Sequence, residues 1–125
     1  MRRDRGDGGQ ASVELALVLP LVFILLLGIV QLGLLVRDQI LVVHAAREAA
    51  REAAVDPAAD AASRAAAASS TLDGARLTVT TSGRGATGSR VRVEVAYRAP
   101  TGVPIIGAAL GDLTLRASAT MRVER

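Results

Sequence analysis

The sequence predicts an α+β protein in which a long N-terminal helix crosses a membrane and a small antiparallel sheet of about three strands packs on an alanine-rich helix. Three observations support this fold class. Residues 15–36 are apolar and uncharged, alanine dominates residues 39–70, and apolar residues alternate with polar ones from residue 77 onwards. Although 50% of the 125 residues are hydrophobic, Phe23 and Tyr97 are the only aromatic ones. A large soluble core is therefore not expected.

The apolar block at residues 15–36 has the length of a membrane span. At about 1.5 Å per residue it forms roughly 33 Å of helix, and a bilayer core is about 30 Å thick. It is too long for the apolar core of a cleaved secretory signal, and no small-residue cleavage site ends it. Glycine and proline are tolerated in spanning helices. The residues that define the predicted span are Leu15, Pro20, Phe23, Gly28, Gly33 and Val36.

The arginines on the two sides of the span are nearly equal in number. Arg2, Arg3 and Arg5 precede it, and Arg37, which is offset by Asp38, follows it together with Arg47 and Arg51. We expect the N-terminus on the cytoplasmic side of the cytoplasmic membrane and the C-terminal part on the outer side, because the leading arginines lie in a short segment next to the apolar edge.

Glu14 is the one charged residue at the front edge of the apolar block. A carboxylate there either lies among the lipid headgroups or finds a partner. Gly9 lies five residues before it and ends a short basic leader. This arrangement resembles a type IV prepilin signal. The resemblance implies cleavage between Gly9 and Gln10 by a prepilin peptidase, and a role for Glu14 in subunit registry through the new α-amino group of a neighbouring subunit.

A longer resemblance covers the segment from Gly9 to Arg51. Its elements are Val13-Glu14, the run from Ala16 to Pro20, Gly28-Ile29, Gly33 and the run from Ala45 to Arg51. This pattern is similar to the N-terminal segment of TadE-like proteins, which are pseudopilins or minor pilins of the tight-adherence (Tad) pilus. Gln10 stands where major type IV pilins prefer Phe, and Leu15 stands where the short Flp-type fibre subunits carry Tyr. Both differences argue against a major fibre subunit. The resemblance implies sibling pilins and the Tad inner-membrane platform as partners, together with roles in adhesion and secretion.

The alanine-rich segment that follows predicts a helical stem, and a disordered linker is the alternative. Val55-Asp56-Pro57 should interrupt the helix. A second helix is expected at about residues 57–69, with Asp56 as its N-cap and an Asp60–Arg64 pair. His44 is the only histidine, so a metal or catalytic role is not predicted for it.

Three alternating segments at residues 77–81, 90–98 and 113–124 predict the sheet. Val91, Val93, Val95 and Tyr97 share one face, which we expect to pack on the stem. Arg90, Arg92 and Arg98 form a stripe on the other face, either as a solvated surface or as a contact for acidic polymers. The glycine-rich residues 82–89 predict a hairpin loop. The apolar connection at residues 99–112 either covers the sheet or contacts the membrane or another subunit.

These patterns divide the chain into a leader (1–9), a transmembrane helix (10–36), a stem (37–70) and an extracytoplasmic head (71–125). No catalytic motif, cofactor or small-molecule site is predicted. Nucleic-acid binding is not expected, because the net charge is only +3 and aromatic platforms are lacking. The predicted function is structural: a membrane-anchored minor pilin or pseudopilin in Tad pilus assembly. The alternative is an uncleaved single-pass membrane protein whose head binds a surface ligand or another envelope complex.

Overall fold

The computed structural model describes residues 7–124 and confirms the α+β class. A long helix, α1, comes first and is followed by a short helix, α2. A 3-10 turn at Gly74–Arg76 leads into an antiparallel sheet of three strands, with a third short helix between the last two. The elements are α1 (Asp7–Val55), α2 (Ala61–Ala68), β1 (Leu77–Ser82), β2 (Arg90–Ala99), α3 (Ile106–Leu110) and β3 (Leu113–Arg122). Of the predicted leader, residues 1–6 lie outside the described part.

Helix α1 is a single element of 49 residues, about 73 Å long at about 1.5 Å per residue. It continues through Pro20, whose ring removes one backbone hydrogen bond. The most apolar 18 residues of the helix are not buried by the rest of the chain, unlike those of the core helix of a soluble protein. Leu17, for example, keeps 75% of its surface exposed. The helix is long and apolar enough to cross a membrane and fits a single-pass anchor.

Helix α1 ends at Val55, as predicted, but α2 begins at Ala61 and the prediction of a helix from residue 57 is wrong. The Asp56 side chain accepts a hydrogen bond from the backbone N–H of Ala58 at 2.9 Å. This local turn competes with helix formation, so residue 60 takes the N-cap position instead. The predicted pair forms, with Arg64 Nε 3.0 Å from an Asp60 oxygen. The stem is therefore helical in both of its parts.

The three strands pair in the order β1-β2-β3, and both pairs are antiparallel. Val79 lies opposite Val95, which in turn lies opposite Ala117. The apolar face of β2 is buried, as the alternation predicts. It packs on the second half of α1 together with β3, while α2 packs along another side of α1. The buried α1 residues of this interface are Val42, Ala45, Ala46, Ala49, Ala50, Ala53 and Ala54.

The last residues of the described chain hold the sheet to the end of α1. Strand β3 ends at Arg122, two residues before the predicted end, yet Val123 stays buried and exchanges backbone hydrogen bonds with Gly88 and Ser89. The N–H of Glu124 then donates to the carbonyl of Ala54 at 3.0 Å. The glycine-rich segment is the predicted hairpin loop, and Arg84 within it donates from Nε to the carbonyl of Ala53 at 2.8 Å.

Candidate assembly site on the membrane helix

Gln10 and Glu14 lie one helical turn apart near the start of α1. The Gln10 side-chain amide donates to a Glu14 carboxylate oxygen, with 3.3 Å between Nε2 and Oε1. Both side chains are exposed. On this part of the helix the Ser12 hydroxyl donates to the carbonyl of Gly8 at 2.9 Å and so stays bound to its own helix. Glu14 is thus the acidic group that this end of α1 presents to its surroundings.

The bond between Gly9 and Gln10 lies inside α1, which begins at Asp7. A peptidase binds an extended main chain, so the first turn must unwind before this bond can be cut. Glycine lowers the cost of that step, since each one destabilises a helix interior by roughly 1 kcal/mol relative to alanine. A Cβ atom at Gly8 or Gly9 would meet no atom within 4 Å. Packing within the chain therefore does not require glycine at either position.

Glu14 has no basic partner within ion-pair distance in residues 7–124. The next charged residue along α1 is Arg37, beyond the whole apolar stretch. A carboxylate at the edge of lipid gains from a cation or from hydrogen-bond donors. Residues 7–124 supply no such cation, whereas a lipid headgroup or a group on another chain could do so.

The other residues of the predicted span face outwards. Phe23 keeps 59% of its surface exposed, and Leu15 and Val36 are exposed as well. A Cβ atom at Gly28 or Gly33 would meet nothing within 4 Å, so no part of the same chain packs closely there. Pro20 lies within an uninterrupted helix. This surface is available to lipid tails or to a neighbouring helix.

Gln31 joins the apolar stretch of α1 to the head, a contact that the sequence does not predict. It lies inside the apolar stretch but is only 1% exposed. Its carbonyl oxygen accepts a hydrogen bond from the backbone N–H of Val103 at 3.3 Å. Its side-chain nitrogen is buried and has no hydrogen-bond partner in residues 7–124. A carboxamide in an otherwise uncharged apolar stretch was the available signal, but its partner lies far along the chain.

Gln39 makes a second contact between helix and head. Its side-chain amide donates to the carbonyl of Arg116 at 3.2 Å. Gln31 and Gln39 are eight residues apart on α1, so the two hydrogen bonds hold the head at two heights on one helix. The head is thereby fixed against both the stem and the outer part of the apolar stretch.

The other polar residues considered in the sequence lie on the stem and the head. No group of three or more His, Cys, Asp or Glu side chains that could hold a metal ion occurs among residues 7–124. His44 lies in an open groove between α1 and α2, beside Glu48, Glu52 and Arg64. The arginine stripe is exposed on the outer face of β2, where Arg92 donates to the Ser118 hydroxyl at 3.1 Å.

Comparison with known proteins identifies the segment that carries Gly9, Gln10, Glu14 and the apolar stretch. Residues 9–51 match the TadE-like protein family. The TadE-like segment, residues 9–51, is about a third of the chain and includes the first alanines under the sheet. This confirms the resemblance found in the sequence and indicates a Tad pilus-associated protein with an apolar N-terminal helix. No curated protein and no solved structure matches the chain.

Proposed function

We propose that this chain is a membrane-anchored pseudopilin or minor pilin that takes part in assembly of a Tad pilus, with a structural and non-catalytic role. One observation carries the proposal. The TadE-like segment contains the half of α1 that the rest of the chain leaves uncovered, and that half carries an exposed glutamate at its edge. A helix that is apolar on all sides needs lipid or other helices to cover it.

The first step of the proposed mechanism is cleavage between Gly9 and Gln10 by a prepilin peptidase. The two glycines allow the first turn of α1 to unwind into the extended form that a peptidase binds. The cut lies before the apolar stretch, so the spanning helix stays intact and remains in the membrane. The new chain begins with the α-amino group of Gln10.

The second step is registry between subunits through Glu14. In the uncut chain the Gln10 amide occupies one Glu14 oxygen at 3.3 Å. Cleavage adds a cation at the same end of the helix, and a carboxylate binds an ammonium group more strongly than a neutral amide, particularly away from water. The α-amino group of one subunit pairs with Glu14 of its neighbour and sets their relative height.

In the proposed orientation, the N-terminus lies on the cytoplasmic side of the cytoplasmic membrane and the head lies on the outer side. Partners in this arrangement are the prepilin peptidase, the Tad inner-membrane platform and sibling pilins, while lipid surrounds residues 15–36. The head stands on the rigid stem, where the hydrogen bonds of Gln31 and Gln39 hold it.

The proposal is tested by deleting the gene in its native host and counting Tad pili by electron microscopy. We expect the deletion to remove most pili and the intact gene to restore them. The matched control is a chimera in which an unrelated transmembrane helix replaces residues 10–36 and the head is kept. We expect the chimera to reach the membrane without restoring pili. Full restoration by the chimera would instead support a membrane protein that acts through its head alone, and normal piliation of the deletion strain would contradict the proposal.

A further inference from the structure

The connection between β2 and β3 is an apolar loop at the membrane end of the head. Residues 99–111 contain no charged side chain. Val103 is buried, but Ile105 and Leu110 expose 61% and 51% of their surfaces. The head therefore uses part of this loop for its own packing and leaves two large apolar side chains facing outwards.

The hydrogen bonds to α1 show how far the loop reaches towards the lipid. The carbonyl of Arg116 is level with Gln39, whereas the N–H of Val103 is level with Gln31. Gln31 lies six residues before Arg37, which is about 9 Å on the membrane side of that charge. The loop thus lies beside the apolar stretch of α1 and not beside the stem.

The loop is built to hold this position. The Thr101 hydroxyl donates to the carbonyl of Gly111 at 2.6 Å and so ties the two ends of the loop together. The N–H of Gly107 donates to the carbonyl of Val103 at 2.8 Å. A Cβ atom at Gly107 would overlap the carbonyl oxygen of Thr101, so only glycine fits there.

Ile105 adopts a backbone conformation that suits glycine better. Its φ is 70° and its ψ is −53°, and the N–H of Ile106 donates to the carbonyl of Pro104 at 2.8 Å across it. This is a γ-turn with positive φ, which is rare and strained for a β-branched residue. Because 61% of the side-chain surface is exposed, packing of the Ile105 side chain within the chain offsets little of this strain. A gain from outside the chain would offset it.

We propose that the loop at residues 99–111 is a second lipid-binding element, which inserts Ile105 and Leu110 beside α1 into the leaflet on the same side of the membrane as the head. Lipid is the occupant because the loop lies at the depth of the apolar stretch, where acyl chains surround a single-pass anchor, and because apolar side chains gain by leaving water. The head is then held to the membrane at two points. The inference requires only that α1 spans a membrane, and it stands whether or not the chain serves a pilus.

Because the sequence contains no cysteine, single spin labels can measure the depth directly. The full chain carrying Ile105→Cys or Leu110→Cys is reconstituted in vesicles of phosphatidylethanolamine and phosphatidylglycerol. Collision with oxygen reports lipid, and collision with a water-soluble nickel chelate reports water. Leu26→Cys in the span and Thr80→Cys on the outer face of the sheet provide the lipid and water references; both positions are exposed.

We expect the oxygen-to-nickel ratio at positions 105 and 110 to be several-fold higher than at position 80 and close to that at position 26. A ratio equal to that at position 80 would overturn the proposal. Low collision with both reagents would also overturn the proposal. If dipolar broadening between labels accompanied it, the loop would be covered by a second copy of the chain and not by lipid.

The Ile105→Gly substitution tests the same proposal without a label at that position. Glycine adopts the positive φ without strain, so the loop should keep its shape while it loses one apolar contact. With a label at position 110, we expect a shallower depth, and with a label at position 80 an unchanged spectrum. An unchanged depth at position 110 would show that Ile105 does not bind lipid and would contradict its part in the proposal.

Discussion

Glu14 holds the one acidic side chain at the boundary between the start of α1 and its apolar stretch. Its carboxylate is exposed, accepts only the Gln10 amide, and has no basic group within ion-pair distance in the described chain. We expect the helix to enter the membrane with or without this group, because the apolar stretch that follows it is long enough to span. The role proposed for the carboxylate is therefore contact with a second chain.

Replacing Glu14 with alanine tests this role. We expect Glu14→Ala to leave membrane insertion and cleavage unchanged but to lower recovery in sheared pili about tenfold, which corresponds to about 1.4 kcal/mol. Immunoblots of sheared and membrane fractions give the ratio. Ser12→Ala is the matched control, because that hydroxyl binds only the carbonyl of Gly8. Recovery of Glu14→Ala at the level of Ser12→Ala would count against the registry role.

Some of the residues discussed above can be recognised from the sequence, whereas others are revealed only by the structure. The spacing of Gly9 and Glu14 is local, so the motif was visible in the sequence, although the roles proposed for the two residues remain predictions. The role of Gln31 was not visible, because its partner Val103 is separated from it by 72 residues. The strained γ-turn at Ile105 was hidden for the same reason, since a positive φ in isoleucine follows from loop closure and not from local preference.

Among the elements, the contact between α1 and the sheet depends on small side chains. Ala45, Ala49 and Ala53 on the helix are at most 3% exposed, and Val91, Val93 and Val95 on β2 are fully buried in the same core. Alanine adds little apolar area but lets the sheet approach the helix closely. The interface is therefore sensitive to added volume.

Enlarging one of these alanines should weaken the head. We expect Ala49→Leu to lower the free energy of unfolding by about 1–3 kcal/mol, because a close-packed interface must shift to admit the larger side chain. The free energy of unfolding is measured by denaturant unfolding of the full chain in detergent. The fluorescence of Tyr97, the only tyrosine, reports the transition. Ala68→Leu, at an exposed position at the end of α2, should change the value by less than about 0.5 kcal/mol. Equal effects of the two substitutions would contradict this packing.

Periodicity predicted the elements well and their ends less well. The alternation in β2 identified its buried face because side chains alternate strictly along a strand. The start of α2 was misplaced because the Asp56 side chain binds the main chain two residues later and delays the helix. Helix α3 was missed because its five residues lie in a loop whose shape depends on contacts with Thr101 and Val103.

The whole molecule divides its apolar residues among three environments. One half of α1 is left for lipid or neighbouring subunits, its alanine-rich half forms the stem, and a few valines complete a small core. The sparse aromatics are consistent with this division, because the chain builds no large interior of its own. The central claim is that such a chain is an anchored subunit, cut at its leader and assembled through its exposed helix.

The N-terminus of the protein recovered from native membranes tests this claim most directly. Intact-mass measurement should give a chain that begins at Gln10. The Gly9→Val variant should keep its full length, because the bulk of a branched side chain at the scissile bond prevents the close approach that glycine allows. The Gly8→Ala variant should still be cut, since space at that position is open. A wild-type chain that retains its leader in cells that process their other prepilins would contradict the account.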